Sequence, residues 1–224
     1  SLIHSSAASY LYKSQDYAGS GMHTHMSLFE GDTNAFDDPN DPMGLSKVAR
    51  SFMAGILKHA SEISLVTNQW VNSYKRISGG FEAPISATWS SGNRCTMLRV
   101  PRYMPNKSSS RRVEVRTPDP GCNPYLAFAA IFAAGLKGVE EGYEIPPEAE
   151  EDVNLMHPKE RKAMGYPDLP KSLASALACF ESSELMAEAL GEHVFEFLIR
   201  SKHEEWTRYS RHVTPFELRH YLSL

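Results

Sequence analysis

The run from Arg111 to Pro120, Arg-Arg-Val-Glu-Val-Arg-Thr-Pro-Asp-Pro, alternates charged and branched apolar side chains. Period-two alternation predicts a strand, with Arg112, Glu114 and Arg116 on one face and Val113 and Val115 on the other. A carboxylate set between two guanidiniums suits a site that handles a metal cation together with anionic substrate groups. The same pattern also fits the solvated face of a half-buried antiparallel strand, and the segment alone does not choose between the two.

His23-Thr24-His25 offers a second chemical group. On a strand the two imidazoles share a face beside Ser27. A neutral imidazole ligates transition metals, a protonated one donates to phosphate, and an interior histidine is often simply hydrogen-bonded. Arg76, Arg94, Arg99, Arg112 and Arg116 form a third group. Guanidinium forks grip carboxylates and phosphates with two bonds at once, which suits a reaction joining an acid to a nucleotide phosphate. Glu82 follows the Gly79-Gly80 pair, so its carboxylate sits where a hinged lid could carry it over an intermediate. Scattered surface arginines and an ordinary loop glutamate are the plainer alternatives.

The elements that must position these residues follow from periodicity and turn residues. Gly21 to Phe29 reads as a strand entered through the Ala18-Gly19-Ser20-Gly21 turn, and Glu30 to Asp41 as a loop. Leu45 to Val66 has helical spacing over one or two helices, and Asn68 to Gly80 is loop-like. Pro84 to Ser90, Arg94 to Val100 and Arg111 to Thr117 read as strands joined by short connections, which predicts an antiparallel sheet. Asn123-Pro124 opens a helix that closes at Gly142 and is apolar on nearly every side, so it is expected to be central and fully packed. Glu144 to Leu169 reads as a long connection. Lys171 to Ser210 reads as helix broken near Ser182 and Gly191, and Thr214-Pro215 starts a short last helix. Strands followed by helices predict an α+β fold, a curved antiparallel sheet packed with helices, with 3–120 sheet-rich and 121–224 helical.

Bulk properties exclude some classes. The 224-residue chain is 42% hydrophobic and 22% charged with a net charge of -4, which gives no reason to expect nucleic acid or a membrane surface as partner. Its 3 cysteines form no CxxC pair, a pattern expected of a reduced, cytoplasmic protein. The most apolar stretch, Tyr125 to Leu136, covers about half a bilayer and is followed by charge, so no membrane span is expected. No secretory signal is expected either.

The blocks Gly19-Ser20-Gly21-Met22-His23-Thr24-His25-Met26-Ser27, Asn72-Ser73-Tyr74-Lys75-Arg76, Gly80-Phe81-Glu82-Ala83-Pro84, Asn93-Arg94 and Arg112 through Asn123-Pro124-Tyr125 occur in this order. Together they resemble glutamine synthetase of the bacterial type I class, and the helical remainder resembles that family's C-terminal helices. The resemblance implies that His23 and Glu114 ligate the nucleotide-side Mg²⁺ or Mn²⁺. It implies that Arg76 and Arg116 grip the substrate glutamate, with Gly19 beside the glutamate amino group. It assigns Arg94, Arg99 and Arg112 to phosphate, and His25, Ser27 and Lys107 to the nucleotide. Glu82 matches the flap glutamate, which shields a γ-glutamyl phosphate and takes a proton from ammonium, so Glu82 and Arg94 are the expected catalytic pair.

The reaction so implied joins glutamate to ammonia with ATP as co-substrate, in a protein that assembles as a stacked double-ring homo-dodecamer. The family's N-terminal domain and its other glutamate ligands are expected to lie outside this chain, so the chain is expected to be a fragment inactive alone. Ala18 and Tyr17 stand where the family carries asparagine and aspartate, beside the amino-acid site. That departure keeps two alternatives open: a γ-glutamyl-amine ligase, and a non-catalytic homologue. Met156 stands where some members carry an adenylylated tyrosine, and a thioether accepts no adenylyl group, so that modification is not expected here.

Overall fold

The computed structural model describes residues 19–77, 82–102 and 107–222. Tyr17, Ala18 and the Gly79-Gly80 hinge lie outside the described residues. The chain forms β1 (Thr24–Met26), β2 (Phe29–Glu30), β3 (Thr33–Asn34), α1 (Lys47–Lys58), α2 (Ala60–Thr67), α3 (Ser73–Arg76), β4 (Trp89–Ser90) and β5 (Leu98–Arg99). A 3-10 turn at Ser108–Ser110 then leads into β6 (Val113–Val115) and α4 (Pro124–Glu140). The remainder is helical: α5 (Pro158–Ala163), α6 (Leu173–Glu181), α7 (Glu184–Leu190), α8 (Glu192–Ser210) and α9 (Pro215–Tyr221). The α+β expectation holds.

A four-stranded sheet in the order β1-β6-β5-β4 carries the site. β6 pairs antiparallel with both β1 and β5, placing His25 opposite Glu114 and Arg99 opposite Glu114 on the other side. The register is set by the apolar face of β6: Val113 and Val115 are fully buried beside Leu98 and Trp89. A one-residue slip would turn both valines outward, at about 1.5–3 kcal/mol each, and drive charged side chains into the core.

Two details of the sheet depart from the sequence reading. β4 pairs with β5 in parallel, not antiparallel. The reason is local: Glu148, Ser90 and Asn93 hold the 91–97 connection through side-chain bonds to its amides, so the chain doubles back twice within one short loop. The expected strands are also shorter. The β2–β3 hairpin starts at the end of the predicted Gly21 to Phe29 strand and runs into the Glu30 to Asp41 stretch predicted as a loop, and of Pro84 to Ser90 only Trp89–Ser90 is strand. Helices α3 and α5 likewise lie inside segments read as loops; each is a single short turn or so, below the length at which periodicity is legible.

The helical layer covers the sheet's buried face. α1 is capped by Ser46, whose hydroxyl accepts from the Ala49 amide, and buries Ala49, Phe52, Met53, Ile56 and Leu57 at helical spacing. It breaks at His59, and α2 follows. α4 starts as the sequence predicts, with the Asn123 side chain accepting from the amides of Tyr125 and Leu126. α1 and α4 touch backbone to backbone: a Cβ at Gly138 would lie 2.1 Å from the Ser51 carbonyl oxygen, and one at Gly55 2.2 Å from that of Ala134. One core runs from Phe36 through both helices and the sheet to Leu198.

α4 is not packed all round. Tyr125, Phe128 and Phe132 are 84%, 44% and 41% exposed, although α1, α2 and α7 pack on the helix and Phe132 meets the Phe52 ring of α1 edge-on. Breaks at Ser182 and Gly191 separate α6, α7 and α8 as the sequence predicts. Met156 packs on a small satellite cluster of Ala149, Val153 and Tyr166. No helix of the described residues is long and apolar enough to cross a membrane.

Candidate active site

Glu114 is the centre of the arrangement. Although it stands on β6 with its residue only 3% exposed, its carboxylate meets three cationic or basic groups. Arg116 Nη1 donates to Oε1 at 2.9 Å, His23 Nδ1 lies 3.1 Å from the same oxygen, and Arg99 Nε is 2.7 Å from Oε2. Glu114 and Arg116 are therefore built into the protein, and of this charged face only Arg112 is solvated. β1 carries His25 with His23 just ahead of it, β5 carries Arg99, and β6 carries Glu114 with Arg116 just past its end, so the sheet pairing brings the cluster together.

The electrostatics follow from this crowding. Burial pushes the Glu114 carboxyl upward, but Arg99, Arg116 and the two imidazoles outweigh it and hold the group below the usual carboxylate range. Burial and the Arg116 guanidinium press the His23 imidazole below its ordinary value, with Glu114 only partly offsetting them. Burial does the same to His25, helped by Arg112 and Arg99. At neutral pH the cluster thus holds a carboxylate and neutral imidazoles, the protonation states in which these groups ligate metals.

A divalent cation fits this pair of donors. Glu114 Oε2 is buried and makes no hydrogen bond of good geometry, the Arg99 contact being close but misaligned. A neutral His23 keeps one nitrogen lone pair. Among the described residues no third His, Cys, Asp or Glu completes a cluster, so His23 and Glu114 would supply part of a coordination shell only.

Around this centre the other predicted residues fall into three groups. Arg112 Nε donates to His25 Nδ1 at 3.3 Å, and both side chains are exposed at the sheet's rim. Ser27 is half-buried just past β1, and Lys107 is exposed at the start of the 3-10 turn that Asn34 pins through the Ser108 and Arg111 carbonyls. Arg76 is buried, and its two Nη atoms donate to the carbonyls of Thr117 and Arg116 at 2.8 Å each. The Gly19–Gly21 segment lies directly against it: a Cβ at Gly21 would come within 2.4 Å of Arg76 Nη2. Burial lowers the Arg76 pKa, with buried Asp119 opposing that shift.

Glu82 and Arg94 stand apart from the centre but near each other. Their side chains are 56% and 61% exposed and their charged atoms 3.9 Å apart. Glu82 has φ +59, a left-handed backbone that non-glycine residues adopt rarely and mostly where the surroundings impose it. Arg94 is tied back to the centre through its carbonyl, which accepts from Arg116 Nε at 3.0 Å.

A family model described as the catalytic domain of glutamine synthetase matches residues 3–221. The chain belongs to that family. A glutamine synthetase of Mycolicibacterium smegmatis is 62% identical over 93% of this chain, and one of Thermotoga maritima is 47% identical over 92% of it. Those alignments cover 47% and 46% of the two relatives, so the chain spans about half the length of the glutamine synthetases it matches. A solved structure titled a GmaS/ADP complex superposes with a TM-score of 0.79 at 31% identity, covering 92% of this chain and 46% of that one.

Sequence reasoning about the glutamine synthetase motifs did not single out Asp119 or Glu148. Asp119 is fully buried, and its Oδ1 accepts from the Gly121 amide at 2.6 Å, shaping the turn ahead of α4. Its place in the Pro118-Asp119-Pro120 run was the available signal. Glu148 lies in a proline-containing connection with no periodicity, and nothing in the sequence marks it.

Proposed function

We propose that this chain is the C-terminal part of an ATP-dependent ligase that forms glutamine from glutamate and ammonia. The observation that carries the reading is the convergence of His23, Arg99 and Arg116 on the buried carboxylate of Glu114. In this reading a γ-carboxylate oxygen of glutamate attacks the γ-phosphorus of ATP, and ADP leaves. Ammonia then attacks the acyl carbon, and phosphate leaves.

The chain's own residues divide the work. Arg116 and Arg76, with the Gly19 backbone, hold glutamate; Arg94, Arg99 and Arg112 neutralise charge on the transferring phosphoryl group. His25, Ser27 and Lys107 border the nucleotide. A Mg²⁺ or Mn²⁺ ion held by His23 and Glu114 would draw electron density from the phosphoryl oxygens. Glu82, carried on its left-handed turn beside Arg94, accepts a proton from the incoming ammonium and helps exclude water, which would otherwise hydrolyse the acyl phosphate. Met156 accepts no adenylyl group.

The remaining metal ligands and the rest of the nucleotide site belong to the half of the relatives that this chain does not match. The chain is inactive alone, and the whole protein works in the cytoplasm as a dodecamer. The test is phosphate release dependent on ATP, glutamate and ammonia. The purified chain should give none, and the chain completed with the unmatched half of the Mycolicibacterium relative should give it. Release by the chain alone would refute its dependence on that half. A folded, completed protein without release from any amine would refute the ligase reading. A second reading rests on Ala18, which stands where the family carries asparagine: the nucleophile is an organic amine, and ethanolamine or a polyamine should then outperform ammonia in the same assay.

A further inference from the structure

We infer that Glu148 is a positioning residue that fixes Arg94 for its contact with the transferring phosphoryl group. The inference rests on the reading of Arg94 given above. Arg94 lies in the loop between β4 and β5, and two parallel strands are ordinarily joined by a crossover of a dozen or more residues. Here residues 91–97 do it alone. So short a connection cannot satisfy its amides within a regular element, and side chains must do so.

Glu148 anchors the start of this loop. Its Oε1 accepts from the Ser91 amide at 2.6 Å, the Ser91 hydroxyl at 2.7 Å and the Ser90 hydroxyl at 2.9 Å. The Ser90 oxygen in turn accepts from the amides of Gly92 and Asn93. Asn93 completes the set, accepting from the Cys95 amide and donating to the Glu151 carbonyl. Every one of these bonds holds the backbone that precedes or follows Arg94.

Glu148 is itself delivered rigidly. The Ala149 amide donates to the Trp89 carbonyl at 2.9 Å, and Trp89 Nε1 donates to the Pro146 carbonyl at 2.7 Å, so residues 146–149 are laced along β4. On the far side of the loop, Arg116 grips the Arg94 carbonyl. Arg94 therefore stands between two anchors: Arg116, which also holds Glu114, and Glu148, which belongs to the long connection after α4. Whatever shifts that connection shifts Arg94.

The kinetic test uses this chain joined to the unmatched half of the Mycolicibacterium smegmatis relative, with Glu148→Ala, Glu148→Gln, Arg94→Ala and the Glu148→Ala/Arg94→Ala pair. Glu148→Ala should lower kcat about tenfold with the glutamate KM within about twofold, because the interaction serves the transition state more than ground-state binding. Glu148→Gln keeps an acceptor oxygen and should recover most of that loss. In the Arg94→Ala background, Glu148→Ala should add less than about twofold, since residues acting as a unit are not additive. Unchanged kcat in Glu148→Ala while Arg94→Ala is impaired would overturn the inference, as would full additivity. Unchanged kcat in Arg94→Ala would instead overturn the reading of Arg94. A direct readout needs no activity: in the chain as it stands, Glu148→Ala should speed hydrogen exchange at the Ser91 and Asn93 amides and leave β6 unaffected. Unaltered exchange at Ser91 would overturn the anchoring itself.

Discussion

Replacing Glu114 with alanine should destabilise the chain before any catalysis is considered. The carboxylate is 4% exposed and its partner Arg116 is 6% exposed, so removing Glu114 leaves a buried guanidinium without its counter-charge. Breaking a buried pair in this way costs about 3–5 kcal/mol. The low end applies here, because Arg99 is 25% exposed and water takes over part of its charge, while the His23 imidazole carries none at neutral pH. A loss of about 3 kcal/mol in a domain of this size corresponds to a fall of roughly 6–12 °C in Tm. Glu114→Gln keeps the shape and one acceptor and should cost less than the alanine variant. Thermal unfolding followed by circular dichroism at pH 7 measures both. A Glu114→Ala protein melting within about 1 °C of the parent would refute the buried, charge-bearing centre on which the site argument stands.

Gly138→Ala would force a methyl group into the Ser51 carbonyl, and overpacking of this kind costs about 1–3 kcal/mol, more where backbone must move. The 2.1 Å approach to a backbone atom puts the cost at the top of that range, about 3 kcal/mol, and the gain in helix propensity, about 1 kcal/mol, leaves a net loss of roughly 2 kcal/mol in urea unfolding. A stabilised variant would contradict the α1–α4 contact. Asp168 accepts from Arg161 Nε at 2.9 Å and from Lys171 Nζ at 2.8 Å. Burial pushes its carboxyl up, but these bonds prevail and hold it below its usual value. A depressed folded-state pKa means a contribution fully present above the unfolded carboxylate range near 3.9 and lost as pH falls through the folded value. The Tm difference between parent and Asp168→Asn should therefore be constant from pH 7 to about 5 and shrink in acid; a difference that grows in acid would reverse the sign of the argument.

Local pattern explains which features the sequence revealed. Alternation across Arg112–Arg116 marked β6 because a two-residue period leaves no other way to bury Val113 and Val115 together. Asn123-Pro124 marked the start of α4 because a cap and a proline act on the nearest amides. Helix breaks at Ser182 and Gly191 were legible for the same reason. The parallel pairing of β4 with β5 was not, because it depends on Glu148 reaching back across 57 residues to the Ser91 amide. Nor was the exposed side of α4, since an all-round apolar helix carries no record of which faces its neighbours cover.

The residue types set the chemistry that this chain can take part in: imidazole and carboxylate donors, and guanidiniums for anions, each on a recognisable strand face or in a motif of the glutamine synthetase family. What the sequence alone left open was their meeting. His23 and Glu114 are far apart along the chain, and only the pairing of β1 with β6, and of β6 with β5, brings an imidazole and the Arg99 guanidinium each to within about 3 Å of the Glu114 carboxylate. Periodicity encodes which side of a strand faces the core. Which strand lies beside it is decided by the packing of the whole domain, and that is where the site is made.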